Sequence, residues 1–147
     1  MTLTDQDRAF LEQNRSAAMI TLRLDGTPHA VRVGVGLVDG RLWSSGTSRR
    51  VRTRHLPRDP RCTLFVFDST WRSLTLETTV TILEGPGAPE LNLRLFQAME
   101  QHMTPPPSPG TVIWEGQERT PEEFLQIMVE ERRLIYEFEV TRAYGMR

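Results

Sequence analysis

Apolar and polar positions alternate along several short runs, and tight turns separate most of them. Ala17 to Leu24 is followed by Asp25-Gly26, a dipeptide that favours a two-residue hairpin. His29 to Val38 alternates in turn and meets a second such dipeptide, Asp39-Gly40, before Arg41 to Ser45. These three strands are expected to form an antiparallel meander. Further strands are expected over Cys62 to Phe67, Arg72 to Leu83 and Leu134 to Val140.

Helical spacing appears in fewer places. Thr4 precedes an acid three residues on, the signature of a capped helix start, with Ala9, Phe10 and Leu11 forming its apolar side. Leu91, Leu95, Ala98 and Met99 give Glu90 to Met103 one apolar face, and Pro121 opens a helix through Glu131. Between these two helices, Thr104 to Gly110 reads as a stiff proline-rich loop. Six strands joined mostly by hairpins predict a mainly β chain, a small β-barrel with helical decorations. A parallel nucleotide-binding sheet is disfavoured, because helices do not separate the strands and no glycine-rich phosphate loop occurs.

Composition narrows the function. At 147 residues the chain is expected to form one domain, 1–147, with a formal net charge of −1. No run reaches the ~20 apolar residues of a membrane helix, and Met1 to Asp5 lacks a signal-peptide pattern, so a cytoplasmic protein without membrane contact is expected. The one cysteine, Cys62, sits within a strand pattern and is expected to be buried and inert. Three scattered histidines, His29, His55 and His102, offer no metal spacing. Trp43 and Trp114 are expected in the core or an interface.

All 18 basic residues are arginine, and they are densest in Ser44-Ser45-Gly46-Thr47-Ser48-Arg49-Arg50-Val51-Arg52-Thr53-Arg54-His55. Hydroxyls, guanidinium forks and the free N–H groups of a helix start together suit a phosphate. Near-neutral overall charge argues against nucleic acid as the partner and for a localised small anion. A solvated helix face is the alternative, with Arg50 and Arg54, and Arg49 and Arg52, spaced along two neighbouring stripes.

In order, Asp25-Gly26-Thr27-Pro28-His29, Leu42-Trp43-Ser44-Ser45, and Thr47 through Arg58-Asp59-Pro60-Arg61 resemble the flavin and deazaflavin reductases of the split β-barrel, pyridoxamine 5'-phosphate oxidase-like superfamily. Similarity is greatest to their coenzyme F420-dependent B branch. It spans about Phe10 to Glu84, and the tail Ala143 to Arg147 is similar too. The resemblance implies an FMN-binding-type split barrel that forms a homodimer with cofactor between the protomers. It implies F420 as cofactor, with FMN as the alternative, and hydride transfer to a small unsaturated or aromatic substrate. A non-catalytic cofactor or tetrapyrrole carrier is a further alternative.

By position, the resemblance implies that Thr47, Ser48, Arg50 and Arg52 face the cofactor phosphate, with Ser45 and Arg49 also in the cofactor-binding set. Val31, Arg32 and Val33 would lie under the ring, and Trp71 would reach the partner's site. Where relatives often carry Pro-Val-Trp, this chain has Arg32-Val33-Gly34, so the pocket beside the ring is expected to be wider. No acid or base stands out; His29, Arg32 and Tyr144 are the candidates for polarising an acceptor.

Overall fold

A computed structural model describes residues 3–147. Thr4 caps helix α1 (Asp5–Gln13) through a complete capping box, and the Asp7 carboxylate that closes the box also binds Arg147 at 2.6 Å. The two ends of the described chain are thereby pinned together.

Seven strands make one antiparallel sheet: β1 (Ser16–Leu22), β2 (Pro28–Gly34), β3 (Gly36–Val38), β4 (Arg41–Thr47), β5 (Arg61–Phe67), β6 (Ser73–Leu83) and β9 (Arg133–Tyr144). Their order is β2-β1-β5-β6-β9-β4-β3. The predicted meander is therefore only half right. Asp25-Gly26 joins β1 to β2 and Asp39-Gly40 joins β3 to β4, but β2 and β3 lie on opposite edges of the sheet.

The chain passes from one edge to the other through Val35 alone. Its N–H donates to the Arg15 carbonyl at 2.7 Å, and the Ser44 hydroxyl donates to the Gly34 carbonyl at 2.7 Å. With consecutive residues at both edges, the sheet must curl into a half-closed barrel. Val31, Val33, Val35 and Leu37 all pack into the barrel core, so the inward phase continues through the crossing, while Gly36 and Val38 are buried on the other face beneath Leu95 and Met99. Inside lie Met19, Leu64, Val66, Leu74, Leu76 and Tyr136, alternate residues of four strands.

Helix α2 (Val51–Arg58) connects β4 to β5, and α3 (Ala88–Glu100) lies across β3 and β4. A hairpin that the periodicity does not reveal, β7 (Val112–Trp114) with β8 (Gln117–Arg119), turns at Glu115-Gly116, both with positive φ. It packs with α3 and α4 (Pro121–Glu130) around Phe96, Trp114 and Phe124, whose ring centroids are 5.2–5.8 Å apart. As predicted, Trp43 and Trp114 are buried, and Cys62 is buried with its thiol pKa pushed up to about 12 by burial. Among the described residues, no helix is long and apolar enough to cross a membrane, and no cluster of metal-ligating side chains forms.

Candidate functional site

The arginine-rich segment divides into three environments. Ser45 lies on β4 with its hydroxyl donating to Asn92 on α3 at 2.5 Å. Thr47 ends the strand, and Ser48, Arg49 and Arg50 form an exposed turn. The helix begins only at Val51, so Arg49 and Arg50 precede it and the two predicted helical stripes do not form. Arg50 occupies the N-cap without a side-chain capping bond. The Thr53 N–H turns back to the Arg50 carbonyl at 3.1 Å, which leaves those of Val51 and Arg52 for water or a ligand.

Arg52 turns the other way. It is only 8% exposed, its Nε is buried without a hydrogen-bond partner, and its guanidinium carbon lies 5.5 Å from the centre of the Tyr136 ring. Burial pushes its pKa down; Tyr136 opposes this, while the positive charges of Arg50 and Arg133 reinforce it. A buried guanidinium usually has a carboxylate or carbonyl partner, because desolvating an unpaired charge is costly. Among the described residues, no carboxylate pairs with this one. Its Nε is thus a desolvated donor without a partner, while the guanidinium rests against the Tyr136 ring.

Thr47, Arg49 and Arg50 share a cleft of about 480 Å³ with Glu130, Glu131, Arg132 and Arg133. Thr47 pairs with Arg133 in the β4–β9 ladder, and this register carries the α4–β9 turn to the cleft wall. From sequence, Glu130 to Arg133 reads as surface charge. It is part of the site because a strand pairing brings it there, a relation that no local pattern encodes. Arg133 and Glu131 form an ion pair at 2.7 Å, and four arginines face two glutamates across the cleft.

Gly46, near the end of β4 among the hydroxyl residues that lead into the turn, has a different task. A Cβ there would lie 2.3 Å from the Tyr136 hydroxyl and 2.4 Å from Cζ. The glycine makes room for a phenol and is not part of the anion cradle. Tyr136 and its partner Thr53 carry no sequence signal for this role.

The remaining candidates do not join that cleft. Val31 and Val33 face the barrel interior, whereas Arg32 and Gly34 face outward into a larger cleft of about 580 Å³. Arg15, Phe67, Phe96, Met99 and Glu100 also line it. The Gly34 position stands 3.5 Å from the Met99 sulfur, so the space beside it belongs to α3 as well as to open cleft. Trp71 is 69% exposed on the β5–β6 turn and lines neither cleft. His29 packs edge to face on His55 at 5.3 Å, while Tyr144 sits at the far end of β9 beside Thr75. His29, Arg32 and Tyr144 therefore do not converge on one point.

Residues 3–136 match the sequence profile of the family described as Pyridoxamine 5'-phosphate oxidase. The chain belongs to that family. Comparison with curated protein sequences gives no match. Among solved structures, a conserved hypothetical protein from Mycobacterium tuberculosis is similar with a TM-score of 0.73 at 19% identity, over 99% of this chain and 86% of the other. An F420 reductase is similar with a TM-score of 0.69 at 19% identity, over 97% of this chain and 98% of the other. The heme storage protein of Vibrio cholerae is similar with a TM-score of 0.66 at 12% identity, over 99% and 96%. At these identities the likeness establishes the split-barrel fold of the pyridoxamine 5'-phosphate oxidase family, as the sequence resemblance implies.

Proposed function

We propose that this family member is an F420-dependent reductase that acts as a homodimer, with the cofactor phosphate held on the β4–α2 turn. The observation that carries the reading is Arg52: a buried guanidinium with an unpartnered Nε and no carboxylate, beside Arg50 and beneath a helix start without a side-chain cap. That arrangement costs stability in the free protein, which the Tyr136 ring offsets in part and a bound anion would offset further. The near full-length likeness to an F420 reductase supports the deazaflavin over other phosphate-bearing cofactors.

The bound deazaflavin would supply a hydride for a small unsaturated or aromatic acceptor. The chain's own residues do the positioning. Thr47, Ser48, Arg49 and Arg50 bind from the surface, and Arg52 binds from below. Ser45 is held by Asn92, which fixes the strand leading into the turn. The cleft beside Arg32 and Gly34 would take the acceptor, with Phe67, Phe96 and Met99 excluding water and the Arg32 guanidinium polarising an acceptor oxygen. Phe65 and Phe67 are 39% and 47% exposed and stack at 5.6 Å on the outer face of β5, an apolar surface suited to a second copy. FMN is the second reading, since its phosphate would use the same donors. A heme-carrying role is the third and rests on likeness alone, to the Vibrio cholerae heme storage protein and to a heme-binding protein from Mycobacterium smegmatis.

Arg52→Met tests the assignment through two opposite readouts. Losing a charge-assisted contact worth about 1.5–3 kcal/mol should weaken F420 binding roughly tenfold or more. Removing an unpaired buried charge should at the same time leave the free protein as stable or more stable. Arg41→Ala, an exposed arginine 3.6 Å from Glu137, is the control and should change neither. Unchanged F420 affinity in Arg52→Met would refute the phosphate assignment.

A further inference from the structure

Tyr136 lies at the centre of the barrel, fully buried, on the opposite side of the phosphate turn from solvent. Its hydroxyl meets the Thr53 hydroxyl on α2, and Thr53 Oγ1 in turn lies 2.7 Å from the Thr47 carbonyl oxygen. The protons in this chain can be assigned. A carbonyl only accepts, so the single Thr53 proton goes to Thr47, and the Tyr136 hydroxyl must donate to Thr53. Burial pushes the phenol pKa up, although Thr53 and the nearby Arg52 and Arg50 pull the other way. The net upward shift keeps the phenol protonated, so it remains a donor.

We propose that Tyr136 is the positioning residue of the phosphate turn, acting through Thr53 on the Thr47–Ser48 peptide. This rests on the reading that the turn takes a phosphate. The Thr47 carbonyl also accepts the Arg50 N–H at 3.2 Å, so two donors hold it toward the protein. The peptide is trans, and in a trans peptide the N–H points opposite to the carbonyl. Tying the carbonyl inward therefore turns the Ser48 N–H outward, toward the side from which an anion arrives. Tyr136 also carries the face on which the Arg52 guanidinium rests. One buried phenol thus sets both a backbone donor and a side-chain cation. Gly46 makes this possible, since any larger residue there would occupy the phenol's place.

The test separates orientation of the turn from general stability. Wild type and Tyr136→Phe are titrated with F420 and with the deazaflavin riboside that lacks the phosphate and tail. Tyr136→Phe keeps the ring and removes the donor. It should weaken F420 binding roughly three- to tenfold, the range for one lost hydrogen bond, and leave riboside binding unchanged. Thr53→Ala should reproduce the effect and Thr53→Ser should restore it, which keeps the test sound if Tyr136→Phe fails to fold. Equal losses for both ligands, or full F420 affinity in Tyr136→Phe and Thr53→Ala, would overturn the positioning role. A wild type that binds riboside as tightly as F420 would instead remove the phosphate reading, and the role with it.

Discussion

Gly46→Ala adds one methyl group at the most crowded point of the barrel. Its Cβ would lie 2.3, 2.4 and 2.5 Å from the Tyr136 hydroxyl oxygen, Cζ and Cε2. Comfortable separations between such atoms are about 3.5–4.0 Å, so the ring would have to retreat by more than 1 Å. It has no free direction, because it is fully buried within the main core. Overpacking a close-packed site costs about 1–3 kcal/mol, and three simultaneous clashes place this case at the upper end. For a chain of this size that corresponds to a fall in Tm of roughly 6–12 °C. Gly34→Ala is the matched control. Its Cβ meets nothing nearer than the Met99 sulfur at 3.5 Å, so stability should change by no more than about 1 kcal/mol. Urea unfolding of both variants, repeated in a Tyr136→Leu background, isolates the contact as a coupling energy. If Gly46→Ala is as stable as Gly34→Ala, or costs the same with and without the phenol, the slot does not exist.

Glu100 is a buried carboxyl on α3 whose pKa is raised by burial, against the Ile113 N–H it accepts at 2.7 Å and the charge of Arg15. Because the folded pKa exceeds the unfolded one, its contribution is fully present below the unfolded value. It is lost as pH rises through the folded value. Glu100→Gln, which still accepts that N–H, should therefore raise Tm at pH 7 and match wild type near pH 4; the reverse pattern would contradict the assignment. Cys62, with its thiol near 12, should resist a thiol reagent at pH 8 in the folded protein and react on unfolding, as absorbance of the released chromophore would report.

The hairpin turns were legible because their chemistry is local. Gly26, Asp39 and Gly40 all have positive φ, the conformation that Asp-Gly pairs favour. The split between β2 and β3 was not, since Val31, Val33, Val35 and Leu37 keep a period of two across it. The β7–β8 hairpin leaves no periodic signal, because its strands are three residues long and its turn is Glu115-Gly116.

The density of arginine and hydroxyl residues marked the candidate site, but not which arginine lies inside. That depends on the helix starting at Val51 rather than two residues earlier. It depends also on Tyr136, 83 residues from its partner Thr53. Strand register decides such neighbours, and register is a property of the folded sheet.

The ligand at the β4–α2 turn decides the function. Parallel equilibrium titrations of the purified protein with F420, FMN and heme, followed by cofactor absorbance and tryptophan fluorescence, address it directly. Micromolar or tighter F420 binding with clearly weaker FMN and heme binding is the predicted result. Preference for FMN or heme, or no F420 binding at all, would contradict it.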